Sequence, residues 1–193
     1  MSALRRWRFR LSCRRQGVEL VLGRGVQFDH AVRVFGTGGK ITIEDGVSFA
    51  FDGGARWLGP IGIEVRAPDA ELHIGRKATI MRAVRIVCFK KITIGPECAI
   101  GDGCLIIDSN GHDFSPGGFD KPDPGAPITL GSHVHVGPDA TILKGVTIGD
   151  ETTVSNRSVV TGNLPARCVA MGNPARVMHQ YPADKAAPQK PSA

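Results

Sequence analysis

The sequence predicts an all-β protein built as a parallel β-helix of about six coils, on three observations. Aliphatic residues recur every six positions, the longest run being Leu130, Val136, Ile142, Ile148, Val154 and Val160. Glycine often follows these positions directly, and the chain has 25 Gly and 13 Pro but only 6% aromatic residues. Such a chain turns often and packs on aliphatic side chains, which predicts very short strands separated by corners, three strands to a coil.

Residues 1–21 form a basic N-terminal segment. Six arginines lie within the first fifteen residues, while the whole chain has a net charge of +6 and a pI of about 9.3. The remainder is near neutral, so a nucleic-acid-binding surface is not indicated. We expect a solvated, non-helical segment, with a peripheral contact to a membrane or another anionic surface as the alternative.

The β-helix is expected over residues 22–165. Upstream of the long run, the same six-residue steps appear in several shorter series, for example Ile94, Ile100 and Ile106. The five cysteines lack metal-site spacing and stand where apolar residues would fit, so we expect buried, reduced thiols in a cytoplasmic protein. No apolar run suggests a signal peptide or a transmembrane helix.

A loop insert at residues 108–127 interrupts the coils without changing their phase, since Ile106 and Leu130 differ by four sixes. A loop of this length in a compact solenoid is usually functional. His112 is the candidate general base, because an unperturbed imidazole titrates near neutral pH. Asp108 could orient the imidazole or cap a turn. Asp113 could bind an acceptor hydroxyl, and Asn110 could position the acceptor or stabilise the turn.

A metal site is the competing interpretation of the histidines. His133 and His135 are alternate residues and share one side of a strand. In the β-helix register Val134 points inward and both histidines point outward, so we expect no metal. A γ-type carbonic anhydrase-like metalloenzyme remains a lesser alternative.

The segment Ile128–Val177 ends in GNPARV and resembles the hexapeptide-repeat acyltransferases, in particular sugar O-acetyltransferases of the galactoside and maltose type. The resemblance implies a left-handed β-helix and a homotrimer whose clefts between subunits hold acetyl-CoA and an acceptor. It also implies a catalytic histidine on an extended loop, which His112 matches. The expected function is transfer of acetyl from acetyl-CoA to a hydroxyl of a sugar or polysaccharide precursor.

The resemblance also implies a set of residues that contact the cofactor: His135, Gly137, Asn156, Thr161, Gly162 and Arg176. Three departures from the family pattern weaken the expectation that these residues bind the cofactor. His135 stands where the family commonly has tryptophan, and Pro138 lacks an N–H that could contact the thioester oxygen. The segment Thr161–Pro165 lacks the family's lysine, although Arg157 and Arg167 lie nearby. A non-catalytic trimeric binding or scaffold protein is therefore the main alternative.

The chain is expected to finish with a capping segment at residues 166–180. The Pro-, Ala- and Lys-rich residues 181–193 are expected to be a disordered tail.

Overall fold

The computed structural model describes residues 2–49 and 59–182. Within these residues, the chain forms a helix, then a stack of short strands, and then a hairpin. The helix is α1 (Ser2–Arg15). The first three coils contain β1 (Glu19–Leu22), β2 (Gln27–Phe28), β3 (Val32–Gly36), β4 (Lys40–Ile43), β5 (Ser48–Phe49), β6 (Ile61–Val65), β7 (Glu71–Ile74), β8 (Thr79–Ile80) and β9 (Arg85–Cys88). The next three contain β10 (Lys91–Ile94), β11 (Ala99–Ile100), β12 (Leu105–Ile107), β13 (Ile128–Leu130), β14 (His135–Val136), β15 (Thr141–Ile142), β16 (Thr147–Ile148), β17 (Thr153–Val154) and β18 (Val159–Val160). The hairpin consists of β19 (Cys168–Gly172) and β20 (Ala175–Gln180).

The three strands of each coil belong to three different sheets, here called faces A, B and C in chain order. Face A is β1-β4-β7-β10-β13-β16, face B begins β2-β5-β8-β11-β14-β17, and face C is β3-β6-β9-β12-β15-β18. Within each face the strands from successive coils pair in parallel, as Ile92 does with Leu72 below and Ile128 above. The described residues thus form a three-sided parallel β-helix of six coils, which confirms the predicted architecture.

The aliphatic residues of the six-residue period fill the interior. Leu130 and the five residues that follow it in the run are at most 1% exposed. The positions four residues later are also buried, from Val134 at 1% to Leu164 at 6%. Leu22 in the first coil is only partly buried, because a coil neighbour stacks on one side of it alone. Each coil therefore buries the apolar side of the next, as in other solenoids.

The corner glycines are required by close approach between coils. A Cβ on Gly95 would lie 2.2 Å from the carbonyl oxygen of Gly131 in the next coil. The residue two positions after such a glycine has a positive φ and is usually not glycine, as in Glu97 at 57° and His133 at 55°. His133 is therefore a corner residue of the coil, and its Nδ1 lies 3.6 Å from the Glu97 carboxylate.

The N-terminal segment differs from its prediction, since α1 is a helix that packs on the first coil. Phe9 and Cys13, one turn apart, are fully buried. The Phe9 ring centroid lies 5.1 Å from that of Phe28 and 6.1 Å from that of Phe49. The open end of the first coil exposes apolar surface, and burying one phenylalanine against it contributes roughly 1.5–3 kcal/mol. The prediction of a solvated, non-helical segment is therefore wrong. Phe9 and Cys13 are flanked by arginines in the sequence, so the sequence alone does not show that they form a buried side of a helix.

Hydrogen bonds fix α1 in place. The Ser12 hydroxyl donates to the Val34 carbonyl at 3.1 Å, and the Arg5 guanidinium donates to the carbonyls of Phe28 and Asp29. In the part of the chain that the structure describes, no helix combines the length and the apolar character needed to cross a bilayer.

The hairpin extends face B beyond the sixth coil. Strand β19 pairs in parallel with β17, and β20 pairs antiparallel with β19. The Tyr181 amide donates to the Arg167 carbonyl at 2.8 Å. The tail predicted for residues 181–193 lies outside the described residues from position 183 onward.

Candidate active site

The loop insert is an ordered hairpin at the corner where face C turns into face A. Its two arms are joined by backbone hydrogen bonds, from Asp113 N–H to the Lys121 carbonyl at 2.9 Å and from Asp123 N–H to the Gly111 carbonyl at 3.3 Å. The tip turns through a bond from Gly118 N–H to the Ser115 carbonyl at 2.8 Å. The three faces of the β-helix form a prism, and the corners of the neighbouring coils, at Lys90 and Lys144, lie on the same edge of it as the hairpin.

His112 projects from this hairpin with an exposed side chain. Its imidazole stacks on the Phe119 ring, with the centroids 4.9 Å apart and the planes 15° apart. Its backbone forms a bridge with Pro122 on the opposite arm. Stacking limits the rotation of the ring while its edge stays accessible, which is the arrangement a proton acceptor for an incoming hydroxyl needs.

Asp108 is fully buried at the base of the hairpin. Its carboxylate accepts hydrogen bonds from the backbone N–H groups of Phe89, Lys90 and Lys91 at 2.6, 2.8 and 2.8 Å. It therefore ties the start of the hairpin to the corner of the preceding coil. These are the contacts of a loop anchor, and they take up both carboxylate oxygens.

The Asp108 carboxylate also affects a neighbouring thiol. The Cys88 sulfur lies 3.7 Å from Asp108 Oδ2. Burial, together with the charge on Asp108, raises the pKa of the Cys88 thiol to about 12. Cys88 is therefore a thiol at neutral pH and not a nucleophile.

Asp123 anchors the other arm. It is buried, and its carboxylate accepts from Lys144 Nζ at 2.7 Å, from Asn110 N–H at 2.7 Å and from Gly125 N–H at 3.1 Å. Burial alone would raise the pKa of Asp123, but the hydrogen bonds from Lys144 and the two amides outweigh it and lower the pKa to about 2. The hairpin is thus held by one buried carboxylate at each arm, each reaching a different coil.

The depressed pKa of Asp123 predicts a specific acid sensitivity. A carboxylate with a lowered folded pKa stabilises the protein above its unfolded pKa, and that stabilisation is lost as the group is protonated. We expect the Asp123 contribution to be complete above its ordinary pKa of 3.8 and to disappear as the pH falls to about 2. Denaturant unfolding at several pH values measures the free energy of unfolding. Over this pH range that free energy should fall less steeply for Asp123→Asn than for the wild type. Equal slopes would contradict the assignment.

The two candidate acceptor-binding residues differ in their surroundings. The Asn110 side chain is exposed, and its backbone is fixed by Asp123. The Asp113 carboxylate accepts from the Ser115 N–H at 2.9 Å and from the Ser115 hydroxyl at 2.8 Å, and these bonds lower its pKa. Asn110 is therefore available to a ligand, while Asp113 is engaged in a turn.

The candidate cofactor residues fall into two groups on different sides of the prism. Thr161 and Gly162 follow β18, so they lie at the corner between faces C and A, on the same edge as the hairpin. His135 is exposed on face B, where it pairs with Ala99 and Thr153. The remainder belong to the face B side of the prism: Gly137 and Asn156 at the corner between faces B and C, and Arg176 on β20.

Gly137 and Asn156 are neighbours in adjacent coils. A Cβ on Gly137 would lie 2.4 Å from the Asn156 side-chain oxygen, so this corner requires glycine. Arg176 is exposed, as are Asn156, Thr161 and Gly162. One chain therefore does not bring all the predicted cofactor residues to the edge that carries His112.

The other histidines and the cysteines show no metal-binding arrangement in the described ranges. Val134 is buried between the exposed His133 and His135, as the register predicts. Among residues 2–49 and 59–182, no three His, Cys, Asp or Glu side chains are grouped so as to hold a metal. All five cysteines are free and buried, which confirms the prediction of buried thiols.

Comparison with known proteins identifies the repeat. A family model described as bacterial transferase hexapeptide, six repeats, matches residues 127–162, the span from β13 to β18. Over this span the chain is similar to the bacterial hexapeptide-repeat transferases. The similar solved structures are left-handed β-helix acetyltransferases, which confirms the predicted handedness.

Two curated O-acetyltransferases resemble part of the chain. It is 29% identical over 116 residues to the polysialic acid O-acetyltransferase of Escherichia coli O1:K1 / APEC, which covers 59% of this chain and 38% of that protein. It is 32% identical over 121 residues to the galactoside O-acetyltransferase of Escherichia coli K12, covering 58% and 55%. The matches thus span about half, or less, of the length of these relatives.

Two solved acetyltransferase structures extend the likeness. The polySia-specific acetyltransferase NeuO superposes with a TM-score of 0.62 at 27% identity, covering 88% of this chain and 87% of that one. A galactoside acetyltransferase in complex with coenzyme A gives a TM-score of 0.55 at 28% identity, covering 69% and 64%.

Three residues of the hairpin and its anchoring corner were not predicted from the sequence: Phe119, Asp123 and Lys144. Two of them left a signal. Phe119 is one of two phenylalanines in the loop of an aromatic-poor chain, and Asp123 stands between Pro122 and Pro124, two residues before Gly125. Lys144 left none, because its role depends on a coil corner that only stacking brings beside the loop.

Proposed function

We propose that the protein is an O-acetyltransferase that moves acetyl from acetyl-CoA to a hydroxyl of a sugar or polysaccharide precursor. The observation that carries the proposal is the exposed His112 imidazole, stacked on Phe119 in an anchored hairpin that projects from a hexapeptide-repeat β-helix. The names of the relatives, which act on polysialic acid and galactosides, support the same class of acceptor.

In the proposed reaction His112 is the general base. It removes the proton of the acceptor hydroxyl as that oxygen forms a bond to the thioester carbonyl carbon. The carbon–sulfur bond breaks, and the thiolate of CoA leaves and takes up the proton. General base catalysis of this kind contributes roughly 10²–10⁴-fold to the rate. Asp108 acts as a positioning residue, because it fixes the hairpin rather than the substrate.

The residues on face B fit a CoA-like co-substrate by their chemistry. His135 offers a flat ring and a hydrogen-bonding edge, and Asn156 offers an exposed amide. Arg176 supplies a cation for phosphate, and Arg157, which directly follows Asn156 in the sequence, is also exposed. Pro138 has no N–H, so the donor to the thioester oxygen must come from another group.

We further propose that the active site is shared between copies in a homotrimer. The support is the separation of His112 from His135, Gly137 and Asn156 on different parts of the prism. Packing the hairpin edge of one copy against face B of another brings the two sets together, as a cyclic assembly does repeatedly. The five buried free thiols support a reducing, cytoplasmic setting.

The shared site predicts complementation between inactive variants. His112→Ala removes the base, and His135→Glu with Arg176→Glu places negative charge against the phosphates of CoA. Co-expressed with different tags and purified as mixed trimers, these variants should regain about one third of wild-type activity, because one of three interfaces is intact. If both sets act within one chain, the mixed trimers stay inactive.

The acceptor is tested by a screen. Purified protein is incubated with acetyl-CoA and a panel of galactosides, sialic acid oligomers and other sugars, and release of the CoA thiol is measured. Acceptor-dependent release that is absent in His112→Ala supports the proposal. Calorimetry that detects no acetyl-CoA binding would instead favour the scaffold alternative.

A further inference from the structure

Helix α1 has a second apolar stripe on the side of the helix opposite its buried face. Phe9 and Cys13 occupy the buried face. Leu4, Trp7 and Leu11 follow the i, i+3, i+7 spacing, which puts them on one stripe, about half a turn of the helix from Phe9. Leu4 is 53% exposed and Trp7 is 58% exposed. Here "outer stripe" means Leu4, Trp7 and Leu11.

Arginines border the outer stripe on both sides. Helical spacing at about 100° per residue puts Arg8 and Arg15 along one side and Arg10 and Arg14 along the other. All four are exposed, and α1 contains no acidic residue. The helix therefore presents an exposed apolar strip within a cationic surface.

The surface beside α1 continues the same chemistry. A groove of about 750 Å³ separates the helix from β3, and its lining includes Trp7, Arg33 and Phe35. Phe35 is 52% exposed. The exposed apolar and cationic groups thus extend from the helix onto the first coil.

We propose that α1 docks this end of the β-helix on an anionic phospholipid bilayer. Tryptophan and leucine enter the headgroup and upper acyl region, while arginines meet lipid phosphates. A soluble polyanion would need only the arginines, whereas the exposed leucine and tryptophan call for an apolar medium. A second copy of this chain is disfavoured, because two arginine-rich surfaces repel each other. The inference does not depend on the identity of the acyl acceptor.

The test is binding of the full chain to large unilamellar vesicles. Vesicles of phosphatidylcholine alone are compared with vesicles containing equal amounts of phosphatidylcholine and phosphatidylglycerol, by co-sedimentation. We expect binding to the anionic vesicles that weakens with salt. In a Trp57→Phe background, which leaves Trp7 as the tryptophan, emission should shift to shorter wavelength on binding.

Matched variants separate the contributions. Leu4→Ser with Trp7→Ser, and separately Arg10→Glu with Arg14→Glu, should each weaken partitioning by about tenfold or more. Lys77→Glu with Lys121→Glu carries the same charge change at exposed positions outside α1 and should bind as the wild type does. The unfolding midpoint of each variant is measured to check that its fold is intact.

Three results would overturn the proposal. The first is no binding, and the second is equal binding to neutral vesicles. The third is a loss on charge reversal with none on removal of Leu4 and Trp7, which would indicate a soluble polyanion as the partner.

Discussion

His112→Ala is expected to lower kcat/KM for the acyl acceptor by about 10²–10⁴-fold while leaving the fold intact. The loss follows from removal of the proposed proton acceptor. The fold is expected to survive because the side chain is exposed and its contact is with Phe119 in the same hairpin. Steady-state kinetics with acetyl-CoA and an acceptor found in the screen measure the first quantity, and thermal unfolding measures the second.

His73→Ala is the matched control for this substitution. His73 lies on face A, half-buried, with its Nε2 3.1 Å from the Glu44 carboxylate. Its loss should leave kcat/KM within a small factor of the wild type. Near wild-type activity in His112→Ala would show that another group takes the proton.

Asp108→Asn is expected to destabilise the protein by about 2–4 kcal/mol, since a buried acceptor of three amide hydrogen bonds is replaced by a group that can no longer accept all of them. The Asn amide nitrogen would face backbone N–H groups of the Phe89–Lys91 corner. The free energy of unfolding in denaturant measures the effect. Activity should fall as well, because the hairpin loses its attachment to the preceding coil.

Asp120→Asn serves as the control, because Asp120 lies exposed in the same hairpin. A change within about 0.5 kcal/mol is expected for a surface position of this kind. If the two substitutions had equal effects, Asp108 would not be the anchor that its contacts indicate.

The repeating part of the fold was predictable because its signal is local and periodic. Positions such as Ile142 recur every six residues, and each must be apolar to fill the interior of its coil. The loop was equally visible, because the phase on its two sides agrees. Helix α1 was not predictable in this way. Its buried stripe consists only of Phe9 and Cys13 and its outer stripe is also apolar, so the sequence lacks the single apolar side that is typical of a surface helix.

The site was predictable in its chemistry and less so in its contacts. His112 could be chosen from its residue type and its place in the loop. The bonds of Asp108 reach residues 17 to 19 positions earlier in the chain, and the partner of Asp123 lies 21 positions later. Such pairs meet only when coils stack, and a corner carboxylate near a histidine in sequence resembles a catalytic partner until the stacking is known.

The capped ends of the β-helix have a consequence for its solubility. A stack of coils with bare ends presents unpaired backbone groups that could template growth into a fibre. Helix α1 covers one end with Phe9 and its arginine and serine bonds, and the antiparallel β20 breaks the parallel pairing at the other. Helix α1 therefore also opposes the stacking of a second chain on the first coil, because it already occupies the carbonyls of Phe28 and Val34 that a further coil would need.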